Sequence, residues 1–252
     1  MHHSILSVVL FLGIFLSACA SPAAPSPTLP PRPADTATPL PTATLVPPTA
    51  TETFTPTPTE IPVFWDDFNK TLLPGWTWIR ENQSLWSLDS EPGWLRIVLT
   101  SDRPPRNLLV REVTHENFQI MTHVRFKPTT NFQFAGLLVY KDDNNDVALG
   151  RAFCDSHTVC VGNGIYFDAL QDGKGVGGNF ATDTTLKDEA YLRLDKVGSK
   201  FTAYYSENGT DWMMIGEHEI NLVDPRVGLI TANSHVVGLP ALFDYFTVME
   251  MP

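Results

Sequence analysis

Two groups of acidic side chains in this sequence have spacings that could support chemistry. Asp142, Asn144 and Asp146 alternate as the first oxygen ligands of a calcium loop do. Val147, however, stands where such a loop needs glycine, and Phe153 stands where it needs glutamate. The spacing therefore favours a solvated hairpin tip over a calcium site.

The second group, Asp183, Asp188 and Glu189, falls in turn-like sequence. Hydrolysis of a glycosidic bond needs two carboxyl groups about 5–10 Å apart across one cleft. The strand motif E-x-D-x-x-E, which points alternate carboxylates into a cleft, does not occur, and neither does the serine-hydrolase motif G-x-S-x-G. P-loop, H-E-x-x-H and paired C-x-x-C motifs are absent as well. The sequence thus carries no catalytic signature and indicates no required cofactor.

Cys154 and Cys160 flank a five-residue tip between two predicted strands. In an exported protein, two cysteines at such a spacing usually pair, so we predict a disulfide. The alternative is a Cys/His metal site that includes His157, but it needs two further ligands that the sequence does not supply.

The N-terminus reads as an export signal. Ile5 to Leu16 is a twelve-residue apolar run, too short to span a bilayer and suited to a signal-peptide core. The next residues, Leu16-Ser17-Ala18-Cys19, resemble the lipobox of bacterial lipoproteins, in which the cysteine receives the lipid. The resemblance implies a signal peptide over residues 1–18 and lipidation of Cys19. Because Met1 to Ser4 lack Lys and Arg, a plain secretory signal is the alternative.

Residues 19–62 read as a linker. Thirteen prolines and eleven threonines lie between Pro22 and Pro62, which leaves few backbone donors and little to bury. An extended, partly polyproline-II chain of this length reaches on the order of 100 Å. Residues 63–252 then form one globular domain that holds all six tryptophans.

The charge balance excludes one class of partner. The chain carries a net charge of −11, and the globular domain keeps −9 of it, without a run of Lys or Arg. Such a surface is unsuited to a phosphate backbone, so nucleic-acid binding is not expected. We expect a monomer that meets the membrane through its lipid anchor only.

The globular domain reads as strands. Phe118 to Lys127 alternates apolar and polar residues with a period of two, which predicts a strand with one buried face. Polar turns such as Asn208-Gly209 separate further strands, and no segment keeps a helical period. The pattern predicts an all-β sandwich or barrel.

Several motifs together resemble one family. They are Phe64 to Phe68, Gly75-Trp76, Trp86-Ser87-Leu88, Ala135 to Asn145, Leu192-Arg193-Leu194, Asn208 to Trp212, Val227-Gly228-Leu229 and Ala241 to Phe246. The domain resembles the concanavalin A-like jelly-roll module at the C-terminus of family-43 β-xylosidases. The resemblance implies a two-sheet jelly-roll sandwich. Since those enzymes hold their catalytic acids on a separate propeller, no catalytic residue carries over to this chain.

Five side chains are candidates for a ligand-binding groove. His123 and Arg125 share the non-core side of one strand, and the resemblance places Arg151, Arg193 and Tyr140 on strands of the same sandwich. If these side chains converge, they form a polar groove with an aromatic wall that suits a sugar. The alternative is a set of solvated charges.

Asp67 and Asp244 form a candidate metal site. In jelly rolls the first and last strands lie side by side, so these carboxylates are expected near each other, where a structural calcium ion could sit. Hydrogen bonds to backbone amides or to an arginine are the alternative.

The sequence therefore predicts an exported protein, lipid-anchored to the membrane or surface of a bacterial cell. It displays a lectin-like domain that binds a polysaccharide or a cell-wall glycan. A glycoside hydrolase or lyase of the same fold, and a structural or protein-binding module without a sugar site, are the alternatives.

Overall fold

The computed structural model describes residues 62–232 and 236–252. These ranges contain sixteen strands and a single turn of 3-10 helix, Gln83–Leu85. The predicted signal peptide, Cys19 and nearly all of the predicted linker lie outside the described residues. Within the described ranges, no helix is long and apolar enough to cross a membrane.

The strands are short and follow one another along the whole domain. In chain order they are β1 (Phe64–Asp66), β2 (Trp76–Ile79), β3 (Trp86–Ser87), β4 (Leu95–Val98), β5 (Leu108–Glu112), β6 (Phe118–Arg125), β7 (Phe134–Asp142), β8 (Asn145–Cys154), β9 (Gly162–Gln171), β10 (Lys174–Gly175), β11 (Phe180–Thr182), β12 (Glu189–Val197), β13 (Lys200–Ser206), β14 (Met213–Glu219), β15 (Arg226–Ala232) and β16 (Pro240–Glu250).

The strands form two antiparallel sheets of eight strands each. Sheet I has the order β14-β13-β12-β6-β16-β4-β3, with β1 added beside β16. Sheet II has the order β10-β9-β8-β7-β15-β5-β2, with β11 added beside β9. The inner faces of the two sheets share one apolar core. The predicted two-sheet sandwich is therefore confirmed.

Alternation along β6 separates the core from the outer face of sheet I. Ile120 and Val124 are fully buried in the core, whereas His123 and Arg125 lie on the opposite side of the strand. Burying such apolar side chains contributes about 1.5–3 kcal/mol each. The strand ends at Arg125, two residues before the predicted end.

The first and last strands lie side by side, as expected, and an aspartate secures their junction. Asp66 pairs with Phe246 across the two strands, and both side chains are buried. The carboxylate of Asp66 accepts hydrogen bonds from the backbone N–H groups of Phe68 and Leu73, each at 2.9 Å, and from the indole N–H of Trp76 at 2.7 Å. These bonds explain the Asp-x-Phe motif at Asp66 to Phe68, near the start of the globular domain, and the tryptophan that follows it.

Two glycines in the sequence motifs of sheet II are required by close strand contacts. A Cβ atom at Gly136 would lie 2.1 Å from the carbonyl oxygen of Leu149, and one at Gly228 would lie 1.9 Å from that of Leu109. Neither position can therefore carry a side chain without moving the neighbouring strand.

Candidate functional site

His123 lies on the outer face of sheet I, where its ring is enclosed by other side chains. The ring stacks on Tyr191 with centroids 4.1 Å apart, and the ring of Trp94 lies 5.3 Å away. Its Nδ1 atom is 3.2 Å from a carboxylate oxygen of Asp244, and its Nε2 atom is 3.6 Å from one of Glu189. Only 6 % of the surface of His123 is exposed, because the neighbouring side chains enclose its ring. Little of the ring is therefore available to contact a ligand.

The two other predicted arginines on this face also have partners. Arg125 donates a hydrogen bond to Glu91 at 3.0 Å, and its guanidinium lies 4.4 Å from the ring centroid of Trp94. Arg193 donates to Asp195 at 2.9 Å and lies 4.8 Å from the ring centroid of Tyr204. The charges of this face are thus neutralised by side chains of sheet I and of the loop between β3 and β4.

The prediction that Arg151 binds ligand at a groove is wrong. Arg151 is completely buried, because it follows Val147 and Leu149 at intervals of two and so points between the sheets. Its guanidinium donates to the carbonyl oxygens of Leu186 at 3.0 Å and Glu189 at 2.9 Å. Burial lowers the pKa of Arg151 to about 10, so this charge is structural.

Tyr140 lies on the outer face of sheet II, and its hydroxyl donates a hydrogen bond to Asp143 at 2.9 Å. His123, Arg125 and Arg193, by contrast, share the outer face of sheet I. The five predicted residues therefore do not converge: three share one face, one lies on the other, and one is buried between the sheets.

The outer face of sheet II holds a groove of about 630 Å³. Its floor is apolar, formed by side chains that alternate with core residues on β7, β8 and β15. Among the lining residues are the floor residues Leu138, Ala148 and Ile230 and the aromatic residues Phe132, Phe134, Tyr140, Phe153 and Tyr166. An apolar groove with aromatic walls and a few polar groups is the usual form of a small-molecule site.

The disulfide loop forms one edge of this groove. Cys154 and Cys160 are joined, with their Cα atoms 5.1 Å apart, which confirms the predicted disulfide. Both cysteines line the groove, together with His157 from the loop between them. The backbone N–H of Val161 donates to the hydroxyl of Tyr166 at 3.0 Å, and that hydroxyl lies 3.2 Å from the carbonyl oxygen of Cys154, so both ends of the loop are held against β9.

Two aspartates on neighbouring strands point into the groove. Asp146 lies on β8 and Asp168 on β9, and the register pairs Ala148 with Asp168. Burial, together with the nearby carboxylates of Asp143 and Asp168, raises the pKa of Asp146 to about 7. Burial also raises the pKa of Asp168 to about 6. Near neutral pH the pair can therefore both donate and accept protons.

Neither aspartate stands out as a site residue in the sequence, and the reason differs between them. Asp146 was assigned to a solvated hairpin tip, but the strand β8 already begins at Asn145 and carries Asp146 into the groove. Asp168 belongs to neither acidic group of the sequence. It is the one charged residue in β9 and lies on the side of the strand opposite to Ile165 and Phe167. A carboxylate on the non-core side of an otherwise apolar strand was the available signal.

Asp67 and Asp244, the two aspartates of the predicted metal site, make contacts with nearby groups of the domain. Asp67 accepts a hydrogen bond from the backbone N–H of Asn69 at 3.2 Å, and Asp244 lies beside His123. In the described ranges, no three His, Cys, Asp or Glu side chains are grouped to hold a metal ion. Calcium at this junction stays a prediction.

Comparison with known proteins agrees with the fold and the motifs. Residues 65–249 match the family model of the β-xylosidase C-terminal concanavalin A-like domain. A curated relative, a xylan 1,3-β-xylosidase of a Vibrio species, is 27 % identical over 135 residues, which cover 52 % of this chain and 24 % of the relative.

Solved structures show the same fold. The GH43 protein BlXynB of Bacillus licheniformis is 23 % identical with a TM-score of 0.64, over 74 % of this chain and 39 % of that chain. A xylan β-1,4-xylosidase of Bacillus halodurans C-125 is 21 % identical with a TM-score of 0.65, over 77 % of this chain and 40 % of that chain. The chain thus spans well under half the length of these proteins. It belongs to the family of β-xylosidase C-terminal concanavalin A-like domains.

Proposed function

We propose that this protein is an exported lipoprotein whose β-sandwich binds a carbohydrate in the groove of sheet II. The groove carries the proposal because it combines aromatic rings, an apolar floor and the carboxyl groups of Asp146 and Asp168, which accept no hydrogen bond from the described residues. Aromatic rings stack on the apolar faces of sugars, and carboxylates accept hydrogen bonds from sugar hydroxyls.

The family supports a role that involves carbohydrate. Two of the named relatives are xylosidases. This chain corresponds to a minor part of each of the three. A sugar-binding module is useful to such enzymes without performing the reaction. A single shallow site of this kind binds weakly, with dissociation constants of about 1 μM to 1 mM.

Screening the full-length chain against a glycan array tests the proposal, and one pair of variants locates the site. Phe132 lines the groove and is 51 % exposed, whereas Trp65 is 50 % exposed on sheet I. Replacing either residue with alanine removes a half-exposed aromatic ring. We expect Phe132→Ala to weaken binding of the best glycan about tenfold, and Trp65→Ala to leave it unchanged.

Two results would contradict the proposal. If no glycan binds at millimolar concentration, a structural or protein-binding role replaces it. If Trp65→Ala weakens binding and Phe132→Ala does not, the sugar site lies on sheet I instead. Release of reducing ends from a bound glycan would indicate the hydrolase alternative.

The lipid anchor at Cys19 is the second part of the proposal. It rests on the lipobox-like Leu16-Ser17-Ala18-Cys19 and on the proline-rich linker that follows. Labelling with a fatty-acid analogue should tag the wild type and not Cys19→Ala, and the variant should leave the membrane fraction. Equal membrane retention of the two proteins would rule out the anchor.

A further inference from the structure

The carboxyl groups of Asp146 and Asp168 are unusual because the domain gives them no partner. Among the described residues, neither accepts a hydrogen bond or forms an ion pair, and Oδ1 of Asp168 is fully buried without a partner. By contrast, the nearby Asp142 accepts hydrogen bonds from Asn144 and Asn145. Buried polar atoms in folded proteins normally have partners, so Oδ1 of Asp168 lacks a donor that a ligand can supply, and the half-buried Asp146 lies on the next strand to bind the same ligand.

The two carboxyl groups lie close enough to share one ligand group. Asp146 is paired with Leu170 and Asp168 with Ala148, so the two aspartates are diagonal neighbours on one face. Such neighbours lie about 7–8 Å apart in an antiparallel pair, with their side chains somewhat closer. A small group with several donors fits between two carboxyl groups at that separation.

The charges that face the pair are mostly negative. The titratable side chains lining the groove are the carboxyl groups of Asp143, Asp146 and Asp168, the hydroxyls of two tyrosines, and two basic groups at its edge, Arg103 and His157. Arg103 lies 5.8 Å from the ring centroid of Phe132. No lysine lines the groove. The carboxylate of Asp143 is paired with the guanidinium of Arg80 at 2.9 Å, so the unpaired negative charge comes from Asp146 and Asp168. That charge favours a cationic ligand and disfavours an anionic one.

We propose that Asp146 and Asp168 form a subsite for a sugar that carries a free amino group. The inference rests on the proposed carbohydrate-binding function and specifies its ligand. An ammonium group offers three donors and a positive charge, so it supplies the missing partner and relieves the repulsion between the carboxyl groups. N-acetylation of the same sugar removes the charge, and a uronic acid adds a negative one.

The subsite also predicts a proton exchange. Burial raises the pKa of Asp146 to about 7, so near neutral pH a substantial share of the free protein holds a proton there. When the sugar enters as its ammonium form, the positive charge favours the ionised carboxylate, so the proton held by Asp146 is released to the solvent. A sugar that enters as the neutral amine takes up that proton instead. The titration is therefore run at about pH 6, where the ammonium form prevails. A neutral sugar does not require this release.

Calorimetric titration of the full-length chain at this pH tests the inference. The probes are tetramers of glucosamine, N-acetylglucosamine, xylose and galacturonic acid. We expect the glucosamine tetramer to bind at least tenfold more tightly than the other three. We also expect its binding enthalpy to change with the ionisation enthalpy of the buffer, which reports proton release.

Variants separate this subsite from general charge effects. Asp146→Asn and Asp168→Asn each keep the side-chain shape, and each should remove most of the preference for the glucosamine tetramer. Asp224→Asn makes the same charge change at an exposed loop position outside the groove, and should leave the preference intact. A melting curve confirms that each variant is folded.

The outcomes distinguish this inference from the proposed function. If the wild type binds the neutral tetramers as tightly as the glucosamine tetramer, the amino-sugar subsite is wrong while carbohydrate binding stands. The subsite is also wrong if Asp224→Asn lowers the preference as much as the groove variants do. If none of the four tetramers binds, the subsite is overturned, and the array screen decides the proposed function.

Discussion

The outer faces of the two sheets both carry charged and aromatic side chains, but they differ in whether the charged groups have partners. On sheet I, His123, Arg125 and Arg193 each lie against a carboxylate and an aromatic ring of the same sheet. On sheet II, Asp146 and Asp168 line an open groove and have no partner among the described residues. The difference is that the side chains of sheet I are held by neighbouring side chains, whereas the two carboxyl groups of sheet II are available to a ligand, and this is why we propose the sugar site on sheet II.

Both faces depend on the core between the sheets, so the largest expected effect is there. Phe246 is completely buried on β16, beside the junction with β1. Phe246→Ala should lower the free energy of unfolding by about 3–5 kcal/mol, because it removes apolar contact and leaves a cavity. Urea denaturation measures the loss. A loss under about 1 kcal/mol would mean that the inner face of β16 is wrongly assigned.

A comparison of two arginines sharpens the distinction between structural and surface charges. Arg151→Ala should lower the free energy of unfolding by about 3 kcal/mol, because it leaves buried carbonyl oxygens without donors. Arg125→Ala should lower it by less than about 1 kcal/mol, because its ion pairs are solvent-exposed. Denaturation curves of the two variants side by side provide the measurement. Similar losses would remove the distinction.

Ionisation of Asp146 lowers the stability of the folded domain, so this effect depends on pH. The pKa of Asp146 is raised to about 7 from the ordinary value of 3.8, so the folded state holds a proton that the unfolded state has released. Between about pH 4 and pH 7, the contribution of Asp146 to the free energy of unfolding therefore falls as the pH rises.

Asp146→Asn removes this dependence. At pH 8 the variant should exceed the wild type by on the order of 2 kcal/mol in free energy of unfolding, and at pH 4 the two should be similar. Denaturation at the two pH values measures the difference, with Asp224→Asn as the control. An equal difference between variant and wild type at both pH values would show that Asp146 is not a buried acid.

Much of the fold was readable from the sequence because alternation and motifs report local environment. The period of two in β6 correctly assigned Ile120 and Val124 to the core, and the spacing of Cys154 and Cys160 predicted the disulfide. The same alternation, applied to β8, places Arg151 on the side of Val147, so its burial was readable as well.

The composition of the groove was harder to predict, because it depends on which strands become neighbours. Alternation says that Asp168 points away from the core, but it does not say that β8 brings Asp146 alongside. Tyr140 lines the groove of sheet II, whereas His123 and Arg193 lie on strands of the other sheet, and ligand binding by any of them stays a prediction. Sheet order is a long-range property, and no single strand encodes it.

The central claim is that sheet II and not sheet I receives the sugar. Amide chemical shifts of the full-length chain, recorded while its best glycan is titrated, test this claim directly. We expect the largest shifts at Leu138, Ala148 and Asp168 on sheet II, with Met121 and Tyr191 on sheet I unchanged. Shifts concentrated at Met121 and Tyr191 instead would contradict the account.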